Sequence, residues 1–475
     1  MTPACLAPIA ANAHSFGTPY VLPLPFWMYA YGCIATLIVT FALVGFFSRV
    51  ATAHMKPPNS ETSPGNSSLA VNRTGLWLLR AGAAGCLLLT LVAGLVGNTD
   101  PARNIAMTMF WVFFLLGFAY LTLFIGDLYA LVNPWKLAVE GVQSLGLDLT
   151  VARVSFPRPL HSWPFLLYMA LIWIELFLTP RPLTLSIALL IYTAITFVGV
   201  ALFGKTTWFS KADLFGVFFR LIGKLAPLAY EETPAPTHWR VRSRLPFSGA
   251  INDRPEDMGL VLFTLFMLSS TTYDGIHDTT WWTGLFWKSQ LWLLQPLWGT
   301  DLGKAQHLLM DWYLFYRQAG LVVLPFMYLS LYLLALLCTK ALARTTVPLR
   351  TLVLDFCYPL LPIALAYNVT HYFTFVVVQW QQLLWLISDP FGFGWDLLGV
   401  AATAKPKQPS MGLIWHVQVA LLLLGHLVSI YLVHLVSMRT FAERRPVICQ
   451  LPLLLLMIVY TVLGLWILSL PLAAE

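Results

Sequence analysis

The sequence predicts an all-α protein, a polytopic bundle of about ten transmembrane helices with both termini outside the cytoplasm. Three observations carry that reading. The chain of 475 residues is 58% hydrophobic and only 10% charged, with a mean hydropathy of +0.73. Apolar runs of about twenty residues, the length that crosses a hydrocarbon core, recur from one end to the other. Lysine and arginine are distributed unevenly between alternate loops, as the positive-inside rule requires. In lipid every backbone polar group needs an internal partner, and runs this long and continuous satisfy that need as helices rather than barrel strands.

In chain order, residues 1–25 form an extracytoplasmic segment and residues 26–473 a single membrane domain without internal repeat. The segment lacks a basic n-region, although Ala11-Asn12-Ala13 has the form of a signal-peptidase site. Cleavage there would leave His14 as the first residue, and its amine and ring would make it a candidate metal ligand, for copper above all. Spans are expected at 26–48, 76–97, 105–126, 162–178 and 183–203, then at 258–273, 319–338, 352–387, 411–436 and 451–470. The eighth is long enough to tilt, kink or extend beyond the membrane, and Pro359 and Pro362 favour a kink at its start.

Three stretches between spans have their own character. Residues 51–72, rich in Ser, Asn and Pro, read as a polar cytoplasmic linker. Residues 208–222, "WFSKADLFGVFFRLI", place charges on one face and aromatics on the other, the pattern of a helix lying in the inner interface. The outer loop 273–318 contains "TTWWTGLFWKSQLWLLQPLWG", aromatic enough to sit at the lipid surface or to roof a cavity.

With the N-terminus outside, the cytoplasmic loops hold 20 of the 28 lysines and arginines and the outer loops 7, while Arg80 lies within the second span. The net charge of +7 is therefore mostly topological bias. Its natural partner is the lipid bilayer with its anionic headgroups, and nucleic acid is not implied. Of the six cysteines only Cys5 is outside, so no oxidised pair is expected.

Ionisable groups inside a span cost roughly 2.5–3.5 kcal/mol each on insertion scales, so they mark cavities or partners. If the eighth and ninth spans form a hairpin turning at 388–411, His371 and His426 both lie about 22–26 Å below the outer ends. Gln382 and Gln418 then pair about 10 Å down, at ~1.5 Å per residue. This polar seam, with Gln379, makes Gln379, Gln382 and Gln418 candidate substrate-binding residues, joined by Trp395 in the aspartate–glycine turn. His371 and His426 read as ligands of one divalent metal or as the two axial ligands of a haem. The alternative is a hydrogen-bonded pair fastening two helices.

At the outer face Glu175, Asp274 and Asp389 are candidate catalytic carboxylates, able to bind a metal or activate water directly. As turn formers and ion-pair partners the same residues would be structural. No HExxH, P-loop, GxSxG or CxxCH occurs.

The runs "AHSFGTPYVLPLPFWMY", "NTDPARNIAMTMFWVFFLLGFAYLTLFIGDLYALVNPWK", "AYNVTHYFTF", "SDPFGFGWDLLG", "WHVQVALLLLGH" and "YTVLGLW", in that order, resemble the bacterial fenitrothion hydrolase-like polytopic membrane proteins. The resemblance covers most of the chain from His14 onward. It implies a multi-pass protein of the bacterial cytoplasmic (inner) membrane that hydrolyses lipophilic organophosphorus triesters such as aryl phosphorothioates, and it allows for a second membrane subunit. It supplies no agreed catalytic residues, and the cofactor stays open between a divalent metal, haem and none. Two other functions fit the residues: a metal- or haem-binding oxidoreductase using His371 and His426, and a transporter or assembly partner.

Overall fold

The computed structural model describes residues 24–51, 69–70, 73–147, 149, 151, 154–232, 239–289, 302–400, 407, 409–441 and 446–470. His14, most of the 51–72 linker and residues 290–301 of the aromatic loop lie outside the described residues. Among the described residues ten helices are long and apolar enough to cross a membrane, and the all-α, multi-pass prediction holds. They run Phe26–Ala51, Arg73–Val96, Ile105–Ile125, Trp163–Phe177, Pro182–Phe203, Met258–Ile276, Leu302–Ala343, Leu361–Ser388, Met411–Thr440 and Leu451–Ser469, here the first to tenth spans.

Every expected span has a counterpart, and the largest differences have local causes. The seventh helix extends over 42 residues, because the polar stretch before residue 319 continues as helix instead of forming a loop. The eighth is interrupted at its start, as its prolines require: a helix Leu349–Asp355 ends, Tyr358–Leu360 forms a 3-10 turn around Pro359, and Pro362 sits in the first turn of the resumed helix. There the missing amide hydrogen of proline is harmless. Within the third span, Thr108–Gly117 is wound as a π-helix, with the Phe118 amide bonded to the Phe113 carbonyl.

The sixth span is the axis of the bundle. Apart from Met258, Leu260 and Leu262 it is buried throughout, and it packs against the fourth, seventh, eighth and tenth spans. Hydroxyl residues fill its second half, where the Thr271 and Thr272 hydroxyls donate back to the carbonyls of Met267 and Leu268. A polar side chain thereby satisfies itself within its own helix.

Two corrections follow from packing. The 208–222 stretch is not one interfacial helix. It splits into Lys205–Lys211 and Leu214–Gly223, and nearly all of the second piece is buried under the aromatic rings of Phe114, Phe118 and Tyr129. Asp213, 1% exposed, separates the two. It accepts a hydrogen bond from Asn133 Nδ2 at 2.7 Å and one from the Tyr192 hydroxyl. A three-stranded antiparallel sheet at the lysine- and arginine-rich end was also not foreseen. There Trp239–Ser243 lies between Leu69–Ala70 and Leu228–Glu232.

The eighth and ninth spans fix their register through Gly425, where a Cβ would meet Ala366 Cβ at 2.3 Å and the Pro362 carbonyl oxygen at 2.8 Å. Gln418 Nε2 donates to the Thr370 carbonyl at 3.0 Å, and Gln381 both donates to and accepts from the Lys407 backbone at 3.0 and 2.9 Å. Lys407 thus lies beside the eighth helix shortly before the ninth begins.

Two outcomes test this packing. Gly425→Leu should separate the two spans and cost about 1–3 kcal/mol or more, seen as a lower unfolding temperature in detergent. Burial pushes the Asp213 carboxyl up to about 6 from its ordinary 3.8, so the folded chain binds that proton more tightly than the unfolded one. Stability should therefore rise as pH falls from about 6 towards 4, be lost again as pH rises back through 6, and level off outside that window. Asp213→Asn should flatten part of that rise in a pH series of thermal melts.

Candidate functional site

Asp274 sits near the end of the sixth span, 5% exposed. One of its oxygens, Oδ2, meets His371 Nε2 at 2.8 Å and accepts from the Tyr372 hydroxyl at 2.7 Å. Both partners come from the eighth span, where adjacent residues are turned by roughly 100° and a long and a short side chain can still converge on one atom. The aspartate and histidine side chains are 6% and 3% exposed, so the pair is sealed inside the bundle.

The local sequence makes that convergence sterically feasible. A Cβ on Gly275 would lie 2.7 Å from Ile467 Cγ2 and 3.6 Å from both Nδ1 and Cε1 of His371. Glycine at that position lets the sixth span approach the tenth span and the imidazole closely. Glu175, on the fourth span, is near enough to Asp274 and to Tyr372 for their charges to interact. Tyr168, about two helical turns before Glu175 on the same span, belongs to the same group through Ser270.

A second polar chain begins immediately beyond the end of the sixth span. His277 Nδ1 contacts the Asp274 carbonyl at 2.9 Å, and its Nε2 meets Asp278 at 3.0 Å. Asp278 is in turn held by Arg317 Nη2 at 2.8 Å. Burial of His277 works against its protonation, yet the hydrogen bond and charge of Asp278 carry its pKa above the usual imidazole value. Tyr273 stacks on His277 with centroids 5.3 Å apart and meets Trp282 edge-on at 5.8 Å, while Trp282 stacks on Tyr316 at 4.8 Å. The described part of the aromatic loop, a helix Thr280–Ser289, therefore packs directly beside this second chain.

Of the three candidate carboxylates, Asp274 and Glu175 come together and Asp389 does not. Asp389 lies 18 residues beyond His371, about 27 Å along a regular helix. Its oxygens accept from the amides of Phe393 and Gly394 at 3.0 and 2.7 Å. Asp396 likewise accepts from Ser388 and from the Val400 amide at 3.0 and 2.8 Å. The glycines complete the turn: Gly392 has φ +71°, and a Cβ there would be 2.6 Å from the Arg103 carbonyl oxygen. The turn clasps the loop between the second and third spans, through Asn98 to the carbonyls of Phe391 and Gly392 and Ile105 to that of Pro390.

The depth match between His371 and His426 fails. With Gln418 against Thr370 and Gly425 against Pro362 and Ala366, His426 lies beside the start of the eighth span. That is about nine residues, roughly 13 Å, from His371 along the axis. Axial haem ligands must face one another across a single iron, so these two imidazoles do not form that pair. The sequence predicts a symmetric turn, whereas Lys407 is held beside Gln381 of the eighth span and the register is shifted. Instead, His426 Nδ1 contacts its own helix at the Leu422 carbonyl, 2.8 Å away. Gln382 and Gln418 are separated by the same shift. Gln379 accepts from Thr108 at 3.1 Å, Gln382 is half-buried, and Trp395 is exposed, packed on Phe391 and Phe393.

Comparison with protein-family models, with characterised proteins and with solved structures returns no match. The site therefore has to be read from its own chemistry. Among the described residues no three His, Cys, Asp or Glu side chains gather in a way that could hold a metal ion. What the arrangement offers is acid–base chemistry: a carboxylate orienting an imidazole, a tyrosine hydroxyl on the same oxygen and a second carboxyl close by.

Tyr372, Asp278 and Arg317 were missed in the sequence. The signal for Tyr372 was its place beside His371 in "THYF", and for Asp278 its place in "YDGIHD". Tyr372→Phe should cost about 1–2 kcal/mol by removing a buried hydrogen bond to a charged group. Asp274→Ala should cost more, since it leaves two buried groups without their acceptor. Thermal melts of the purified variants would rank them.

Proposed function

We propose that this protein is a multi-pass hydrolase of the bacterial cytoplasmic membrane, both termini outside, in which His371 is the general base and Asp274 its orienting partner. The observation that supports this reading is the shared Asp274 oxygen, which takes a hydrogen bond from Tyr372 while meeting His371 Nε2. An imidazole whose Nε2–H is held by a carboxylate presents Nδ1 as its basic nitrogen, and the carboxylate stabilises the imidazolium that forms. The resemblance to fenitrothion hydrolase-like proteins suggests the substrate class, a lipophilic aryl phosphorothioate triester that partitions into the bilayer.

In the proposed reaction a water molecule loses its proton to His371 Nδ1 while its oxygen bonds to phosphorus. The phosphorus–aryloxy bond breaks, and the nitrophenolate departs with the electron pair. Such a leaving group needs no proton donor, so one base suffices. Tyr372 fixes the carboxylate, and Glu175 supplies a second carboxyl at the edge of the same cluster.

Proteoliposomes bearing the full chain should release nitrophenol from such a triester. His371→Ala and Asp274→Asn should each reduce turnover about 100-fold or more, the range for a lost general base, while Asp389→Asn should retain it. Full turnover in the first two variants removes the assignment. No release by the unmutated chain, alone or co-expressed with neighbouring membrane proteins, removes the hydrolase. The sealing of the Asp274–His371 pair from solvent favours one second reading, a proton relay in a transporter. That alternative requires proton flux in the same proteoliposomes, abolished by Asp274→Asn, without nitrophenol release.

A further inference from the structure

Just beyond the end of the sixth span, His277 is 3% exposed and its ring is set between two oxygens. Nδ1 lies 2.9 Å from the Asp274 carbonyl oxygen, and Nε2 lies 3.0 Å from Asp278 Oδ2. A neutral imidazole carries one N–H, so it can satisfy only one of these acceptors and would turn a lone pair on the other. The form that fits has an N–H on both nitrogens, which is the imidazolium. From the neighbouring spans Arg317 of the seventh faces the ring, while His371 of the eighth and Glu175 of the fourth face Asp274. Burial opposes the charge on His277 most and Arg317 least, and the hydrogen bond and charge of Asp278 with the charge of Asp274 outweigh both. The ring's pKa therefore ends above its ordinary 6.5.

The elements joined at this point surround the sealed Asp274–His371 pair. Asp278 Oδ1 accepts from Arg317 Nη2 of the seventh helix at 2.8 Å, and the Tyr273 hydroxyl donates to the Arg317 carbonyl. The helix Thr280–Ser289 follows Asp278 directly and is held by both neighbours. Trp282 stacks on Tyr316 of the seventh helix at 4.8 Å, and Trp281 meets Trp466 of the tenth span edge-on at 5.0 Å. Ile467, the next residue, is the one that a Cβ on Gly275 would strike beside the His371 ring. The short helix thus bridges the seventh helix and the tenth span next to the buried pair.

We infer that His277, held as an imidazolium between the Asp274 carbonyl and Asp278, is a pH-sensitive latch on the Thr280–Ser289 helix, fastened when the ring is charged and released when it loses a proton. On release one of the two contacts becomes lone pair against lone pair. Whichever contact yields, the link from the sixth span through the ring to Asp278 and Arg317 is cut. The Asp278 side chain is 46% exposed, so the proton passes to water at that end of the chain. That the latch governs access to the Asp274–His371 pair rests on the function proposed for that pair, whereas the latch itself rests on the two contacts of the ring.

Full-length protein in nanodiscs would be followed by hydrogen–deuterium exchange between pH 6 and pH 9, each rate divided by the intrinsic rate at that pH. In the unmutated chain, peptides covering residues 276–289 should lose protection about tenfold or more across this range, as expected for a local opening. His277→Gln, with a neutral side chain, should show the low protection at both ends of the range. Asp278→Asn changes a half-exposed side chain and should move the loss to lower pH. Thermal melts give the linked readout: the latch stabilises fully below pH 6.5, and its contribution is lost as pH rises through the raised value. His277→Gln should remove that loss. Protection independent of pH in the unmutated chain, or an unaltered pH response in His277→Gln, would overturn the latch. None of these readouts uses a substrate, so a failure of the latch is distinguishable from a failure of the hydrolase.

Discussion

The interior of this bundle is organised around one carboxylate. A charge at membrane depth is tolerated only if its lone pairs are occupied, and Asp274 draws His371 and Tyr372 of a neighbouring helix onto a single oxygen. Two spans are thereby fixed in azimuth and depth. The glycine that follows Asp274 then lets the tenth span close against them. Glu175 and Tyr168 bring the fourth span to the same point. The chemistry proposed for this site and the packing of four spans thus depend on the same contact.

A second constraint sets where the remaining polar residues fall. Gln381 grips the backbone of the returning loop at Lys407, and Gln418 reaches the Thr370 carbonyl. Gln381 and Gln418, the latter read from the sequence as part of a ligand-binding seam, act as rungs between two antiparallel segments. The aspartate–glycine turn has an equally mechanical task, since its carboxylates cap its own amides and Gly392 presses against the loop between the second and third spans. Polarity at that end of the eighth span serves architecture.

The opposite end is built on the same principle with a different outcome. Asp213 breaks an amphipathic stretch into two helices because its carboxylate is worth more bound to Asn133 and Tyr192 than exposed at a lipid surface. The second helix is drawn under an aromatic cluster, and a cavity lined by charged side chains remains beside it. The sixth span carries hydroxyls that bond back within their own helix, and Thr272 also reaches the Tyr328 hydroxyl of the seventh span at 2.8 Å.

The sequence by itself determined the number, order and approximate limits of the spans, because hydropathy over about twenty residues is a local property that the bilayer reads directly. Prolines 359 and 362 similarly announced the interruption of the eighth span, and Asp274, Glu175 and His371 stood out because intramembrane charge is rare. Which of these residues meet was decided only by tertiary structure. Depth along a hairpin depends on how its loop folds back, and a nine-residue shift separated His371 from His426. Facing depends on helix rotation, which brought in Tyr372 and left Asp389 in a turn. These are long-range contacts, and no local pattern of polarity encodes them.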